Sequence, residues 1–119
     1  MNEADLKQRT KEFALRIMKM AKALPKDIAG EVVAKQIMRA ATSVAANYRS
    51  ACRAKSKKDF VAKLGIVEEE ADETLFWLEI IADSEMLSAT RVQLLLGEAD
   101  ELVRIVTASR KTASQRLNQ

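Results

Sequence analysis

From Leu6 to Val106, apolar side chains return every three or four residues, and the only proline in the 119-residue chain is Pro25. A period near 3.6 lines such residues along one side of an α-helix, and a strand does not reproduce it. The chain has only three glycines, too few turn formers for a sheet protein with its many reversals. Aromatic residues are 4% of the chain, so Ala, Leu, Ile, Val and Met must build the core. The pattern predicts an all-α protein in one domain over residues 1–119.

Four helices follow from the same period. The first spans about residues 5–24, with Leu6, Phe13, Ile17, Met20, Ala21 and Leu24 in one stripe and Lys7, Lys11, Lys19 and Lys22 opposite. Pro25 ends it, because the residue before a proline is pushed out of the helical region. The second spans about 27–54, with Val33, Ile37, Ala40, Ala41, Val44, Tyr48 and Ala51 inward and small side chains throughout Ala40–Ala46. Gly30, within its first turns, is expected to cost about 1 kcal/mol relative to alanine. Ser56 with Asp59 three residues on reads as a weak capping box. It opens a third helix over about 57–84, whose seam is Phe60, Leu64, Val67, Ala71, Leu75, Leu78 and Ala82. Thr90 or Ser88 caps a fourth, about 90–114, with Val92, Leu95, Ala99, Leu102, Val103 and Val106 inward. Short connections make antiparallel neighbours, so the expected architecture is an up-down four-helix bundle.

Several chemistries are excluded by composition. There is no histidine, which removes His-based triads, HExxH zinc sites and Glu-x-x-His di-iron bundles. Cys52 is the only cysteine, so neither a disulfide nor a cysteine metal cluster forms within the chain. No apolar run approaches the ~20 residues of a membrane span and no signal peptide opens the chain, so a cytoplasmic location is expected. No phosphate-binding glycine loop or nucleophile elbow occurs. The expectation is a non-enzyme with no catalytic residue, metal, cofactor or small-molecule substrate.

Charge is unevenly placed. Residues 31–63 carry eight bases against Glu31 and Asp59, a net of +6, whereas residues 64–85 carry eight acids and no base. On the second helix Lys35, Arg39, Arg49 and Arg53 fall within roughly an 80° sector opposite the core, and Lys55, Lys57 and Lys58 continue it into the turn. Such a strip suits a phosphate backbone, whose counterions it would displace. It equally suits solvation, or pairing with the acidic run in the same or a neighbouring subunit. No aromatic residue interleaves, so a stacking platform for single strands is missing. In the acidic run, Glu69/Glu73 and Glu68/Asp72 share helix faces four residues apart. Carboxylates alone can hold Mg²⁺, but only Glu98 and Glu101 stand by as a second source, and a solvated or inter-subunit face is the simpler account. Cys52, at the edge of the inner face without a base to activate it, reads as a small core residue.

Some large apolar residues do not fit the core. Ile66, Trp77 and Ile80 on the third helix, and Leu94 and Ile105 on the fourth, lie well off the seam; Ile66/Trp77 and Leu94/Ile105 are each eleven residues apart. They either close the flanks of the bundle or form an oligomer interface anchored by Trp77.

Residues Gln36–Asn47 (QIMRAATSVAAN), followed by Lys55–Phe60 (KSKKDF) and Glu73-Thr74, resemble the four-helix-bundle proteins encoded in intervening sequences of bacterial large-subunit ribosomal RNA genes. The pattern there runs R-A-x-x-S-I-x-x-N-I-A-E-G, then S-x-x-[DE]-F and an acidic helix with a Glu-Thr element. The resemblance covers about residues 10–108. It departs at Asn47-Tyr48-Arg49-Ser50-Ala51, where the acid and the helix-ending glycine are absent, so a role for that acid does not carry over and the second helix is expected to run on. The resemblance implies a bundle that assembles into a homo-oligomeric ring, commonly a pentamer, with no assigned molecular role. A related group, the accessory proteins of diversity-generating retroelements, forms similar basic rings that bind a reverse transcriptase and nucleic acid. A protein partner or RNA is therefore the expected class of ligand.

Overall fold

The computed structural model describes all of residues 1–119 as four helices, α1 (Glu3–Ala21), α2 (Ile28–Cys52), α3 (Lys57–Asp83) and α4 (Ala89–Leu117). They pack in sequence order as an antiparallel bundle measuring 50 × 21 × 20 Å. The α1–α4 seam is the loosest.

Side-chain oxygens start three of the helices. Asn2 and Asp5 form a reciprocal capping box, with the Asp5 N–H donating to Asn2 Oδ1 at 2.9 Å and the Asn2 N–H to Asp5 Oδ2 at 3.3 Å. Asp27 Oδ1 accepts from the Gly30 N–H at 2.8 Å. Ser56 Oγ accepts from the Asp59 N–H at 3.0 Å, while the Asp59 carboxylate reaches one residue further back, to the Lys55 N–H at 3.2 Å. Each bond satisfies a donor that the first turn leaves without a partner. At α4 the N-cap is Ser88, and its side chain makes no cap bond.

Helix α1 stops at Ala21, three residues short of the sequence expectation. Lys22–Leu24 form a tight turn, in which the Ala23 N–H donates to the Met20 carbonyl at 2.9 Å and the Leu24 N–H to that of Ala21 at 3.2 Å. Leu24 still buries its side chain. Helix α2 ends at Cys52, two residues short of the expected Ala54. The α3–α4 turn closes by a Schellman arrangement, the Met86 N–H donating to the Ile81 carbonyl and that of Glu85 to the Ala82 carbonyl, both at 3.1 Å. Glu85 takes the left-handed conformation there, with φ of 60°, a place usually held by glycine.

On α1, α3 and α4 the core follows an alternation of three- and four-residue steps. On α1 it runs Leu6, Thr10, Phe13, Ile17 and Met20, continued by Leu24 in the turn, and on α4 Val92, Leu95, Ala99, Leu102 and Val106, whereas Val103, expected inward, is only half-buried. Helix α3 corrects the expected seam: Leu64, Val67, Ala71, Thr74, Leu78 and Ile81 are buried, and Phe60, Leu75 and Ala82 are only half-buried beside them. A regular heptad faces the partner helices continuously, so the packing takes Thr74 in place of the more apolar Leu75. Burying Thr74 leaves nothing unpaired, because its hydroxyl donates to the Glu70 carbonyl at 2.8 Å. Thr10 does the same with the Leu6 carbonyl at 2.9 Å. The small stretch of α2 divides: Ala40 and Ala41 are fully buried, whereas Ala45 and Ala46 turn outward towards α1.

Candidate interaction surfaces

The basic strip of α2 separates into three environments. Arg39 is tied down within the chain, its Nη2 2.7 Å from Glu73 Oε2 and its Nη1 3.8 Å from Glu70 Oε2. Lys35, one turn earlier, is exposed. Arg49 and Arg53 turn the other way, into a groove of about 580 Å³ between α1 and α2. Lys55, Lys57 and Lys58 stand exposed at the α2–α3 turn.

The groove is lined by Lys7, Lys11, Arg49 and Arg53 around Ala14, Leu15, Met18, Ala45 and Ala46, with no carboxylate. None of its four bases makes an ion pair. Leu15 is 55% exposed on its wall. The sequence puts Lys7 and Lys11 opposite the α1 core stripe but does not join them to Arg49 and Arg53. The signal was incomplete, because which α2 residues lie beside them depends on how the two helices are rotated against each other.

The acidic run also divides. The three carboxylates flanking the core are paired: Glu68 with Arg110 of α4, and Glu70 and Glu73 with Arg39. The hydrogen bond from Arg110 holds the Glu68 carboxyl below its ordinary range. Burial, then the neighbouring Glu73, push Glu70 upward against the pull of Arg39. The outer row of α3 (Ile66, Glu69, Asp72, Phe76, Glu79 and Asp83) is exposed, and its four acids have no partner. No group of three or more His, Cys, Asp or Glu side chains is placed to hold a metal ion.

Of the off-core apolar residues, Ile66 is 44% and Leu94 76% exposed. Trp77, Ile80 and Ile105 are half-buried against the protein's own core, so part of their surface closes the bundle flanks. The indole Nε1 of Trp77 is buried without an acceptor, and Phe76 meets the ring edge-on at 5.0 Å between centroids and 73°. Phe76 itself is 50% exposed, which the helical period of α3 does not show by itself. Leu94 sits with Arg16, Lys19, Met20, Arg91 and Leu95 in a smaller depression of about 250 Å³ between α1 and α4. Cys52 is half-buried at the core edge; burial, with Cys52 beside it, raises the Tyr48 phenol above its ordinary value.

Across the loosely packed α1–α4 seam, Arg9 clamps the two helices. Its Nε and Nη2 donate to the two Glu98 oxygens at 2.8 and 2.7 Å, and Nη2 lies 3.0 Å from Glu101. This bidentate pair holds the Glu98 carboxyl below its ordinary range and occupies both α4 acids that the sequence offered as companions to the acidic run.

The 23S rRNA-intervening sequence protein family model matches residues 2–108. Among solved structures, the chain is similar to a protein of unknown function from the S23 ribosomal protein family of Bacteroides thetaiotaomicron VPI-5482. The two are 33% identical and superpose with a TM-score of 0.85, over 93% of this chain and 99% of the other. No curated protein matches. A match across nearly the whole bundle, with a solved relative of the same architecture that is covered almost end to end, places this chain in the 23S rRNA-intervening sequence protein family.

Proposed function

We propose that this protein is a non-enzymatic scaffold that works as a homo-oligomer, with a closed ring, a pentamer by family resemblance, as the expected form. One observation carries the reading. The bundle completes a core of 23 residues and still leaves Leu15, Ile66, Phe76 and Leu94 about half or more exposed. Ile66 and Phe76 share the outer row of α3 and Leu15 lines the α1–α2 groove, and exposed apolar surface of this kind on a small protein suits covering by a partner. The histidine-free composition supports the non-catalytic part of the reading. The lone cysteine fits a reducing compartment, the cytoplasm.

A second reading, RNA binding, draws on the unpaired bases Arg49, Arg53, Lys55, Lys57 and Lys58, which a ring would repeat in every subunit. Repetition turns weak single contacts into useful avidity.

Light scattering after size exclusion tests both. A mass several times 13.3 kDa, unchanged by a structured RNA, supports the scaffold. An assembly that gains RNA at low salt and sheds it at high salt supports the second reading, since phosphate contacts carry that dependence. A monomer at micromolar concentration refutes self-assembly.

A further inference from the structure

We infer that each copy receives the outer face of α3 from a second copy in its α1–α2 groove. This rests on the self-assembling reading above and names the surfaces that would do it.

The two faces complement each other in charge. The groove presents Lys7, Lys11, Arg49 and Arg53 with no acid among its lining residues. The α3 row presents Glu69, Asp72, Glu79 and Asp83 with no base between Ile66 and Asp83. Both sets are left over after all intrachain ion pairs are made. The chain neutralises the flanks of α3 with Arg39 and Arg110 and leaves its outer row charged. Opposed fields of this kind orient two copies and exclude like-charged docking.

They match in length and polarity as well. Ala45 and Ala46 keep the α2 wall low, and Leu15 and Met18 supply apolar surface. On α3, Ile66 and Phe76 stand out between the acids, 44% and 50% exposed. The groove follows α1 from Ala4 to Met18, about 21 Å at 1.5 Å per residue, and the stretch from Ile66 to Glu79 is about 20 Å on the same rise. The two surfaces differ, so the contact is head-to-tail and leaves a free groove and a free α3 at either end. Such contacts close into rings when the rotation allows.

Paired charge reversals test the docking. Lys11→Glu with Arg49→Glu reverses the groove, and Glu69→Lys with Glu79→Lys reverses the α3 row; all four side chains are exposed. Circular dichroism and a melting curve check that each variant remains folded. Each reversal alone is expected to reduce the assembly to the 13.3 kDa monomer, and one chain carrying all four changes is expected to regain the wild-type mass. An assembled wild type with both reversed variants equally assembled overturns the docking and leaves the oligomeric reading standing. A monomeric wild type overturns both. A folded four-change chain that stays monomeric overturns the pairing of these two surfaces. A groove-reversed variant that keeps its mass but loses a structured RNA carried by the wild type assigns the groove to nucleic acid instead.

Discussion

Replacing Gly30 by alanine reverses the sign that helix propensity alone would give. Alanine is favoured over glycine in a helix interior by about 1 kcal/mol, so propensity predicts a more stable protein. A Cβ on Gly30, however, would lie 2.0 Å from the Pro25 carbonyl oxygen and 2.8 Å from its carbon. Both are backbone atoms of the α1–α2 turn and cannot rotate away. The turn would have to shift, and the 2.8 Å cap bond from the Gly30 N–H to Asp27 would shift with it. Overpacking costs about 1–3 kcal/mol and a lost cap about 1 kcal/mol. Against the propensity gain, the net is a destabilisation of about 2 kcal/mol, a melting temperature lowered by roughly 8 °C in a chain of this size. Gly97 is the internal control, since nothing lies within 4 Å of a Cβ there, and Gly97→Ala is expected to raise the melting temperature by roughly 4 °C. Thermal unfolding followed by circular dichroism, at one fixed protein concentration because assembly adds its own term, reads both. A Gly30→Ala melting temperature at or above that of the wild type would refute the close approach.

Two further outcomes follow from named groups. The Arg9 clamp holds the Glu98 carboxyl below its unfolded value, so its contribution is complete above the ordinary carboxylate range near pH 4.3 and is lost as pH falls through the lower folded value. Glu98→Gln is therefore expected to cost about 1–2 kcal/mol in urea unfolding at pH 7, as suits a pair between exposed and buried. The difference should narrow below about pH 4, and a gap that widens on acidification would contradict the assignment. Glu85→Gly relieves a left-handed residue at φ of 60° and is expected to stabilise by about 0.5–1 kcal/mol, after allowing for the more flexible unfolded chain; an earlier urea midpoint would argue against strain at that turn.

Much of the bundle was legible because helical period and turn punctuation are local. Every inward residue assigned on α1 and α2 is buried, since Leu6 to Leu24 and Val33 to Ala51 each have one apolar side. Helix α3 was harder. It is apolar on several sides, and Leu75 outranks Thr74 by hydropathy. The heptad geometry of the neighbours and the Thr74 hydroxyl bond to Glu70 decided in favour of Thr74. The same breadth hid Phe76, whose exposure is visible only once the rotation of α3 is set.

The sequence alone determined the helical class, the four segments, the apolar core of α1 and α2 and all of that of α4 but Val103, and the segregation of charge into a basic and an acidic stretch. Tertiary structure decided which charges remain available. Arg39, Glu68, Glu70 and Glu73 are consumed inside the chain, while Arg49 and Arg53 join Lys7 and Lys11 across about forty residues of chain. Helical period specifies a side chain's angle on its own axis, and the rotation and offset between axes follow only from how all four helices pack their cores together.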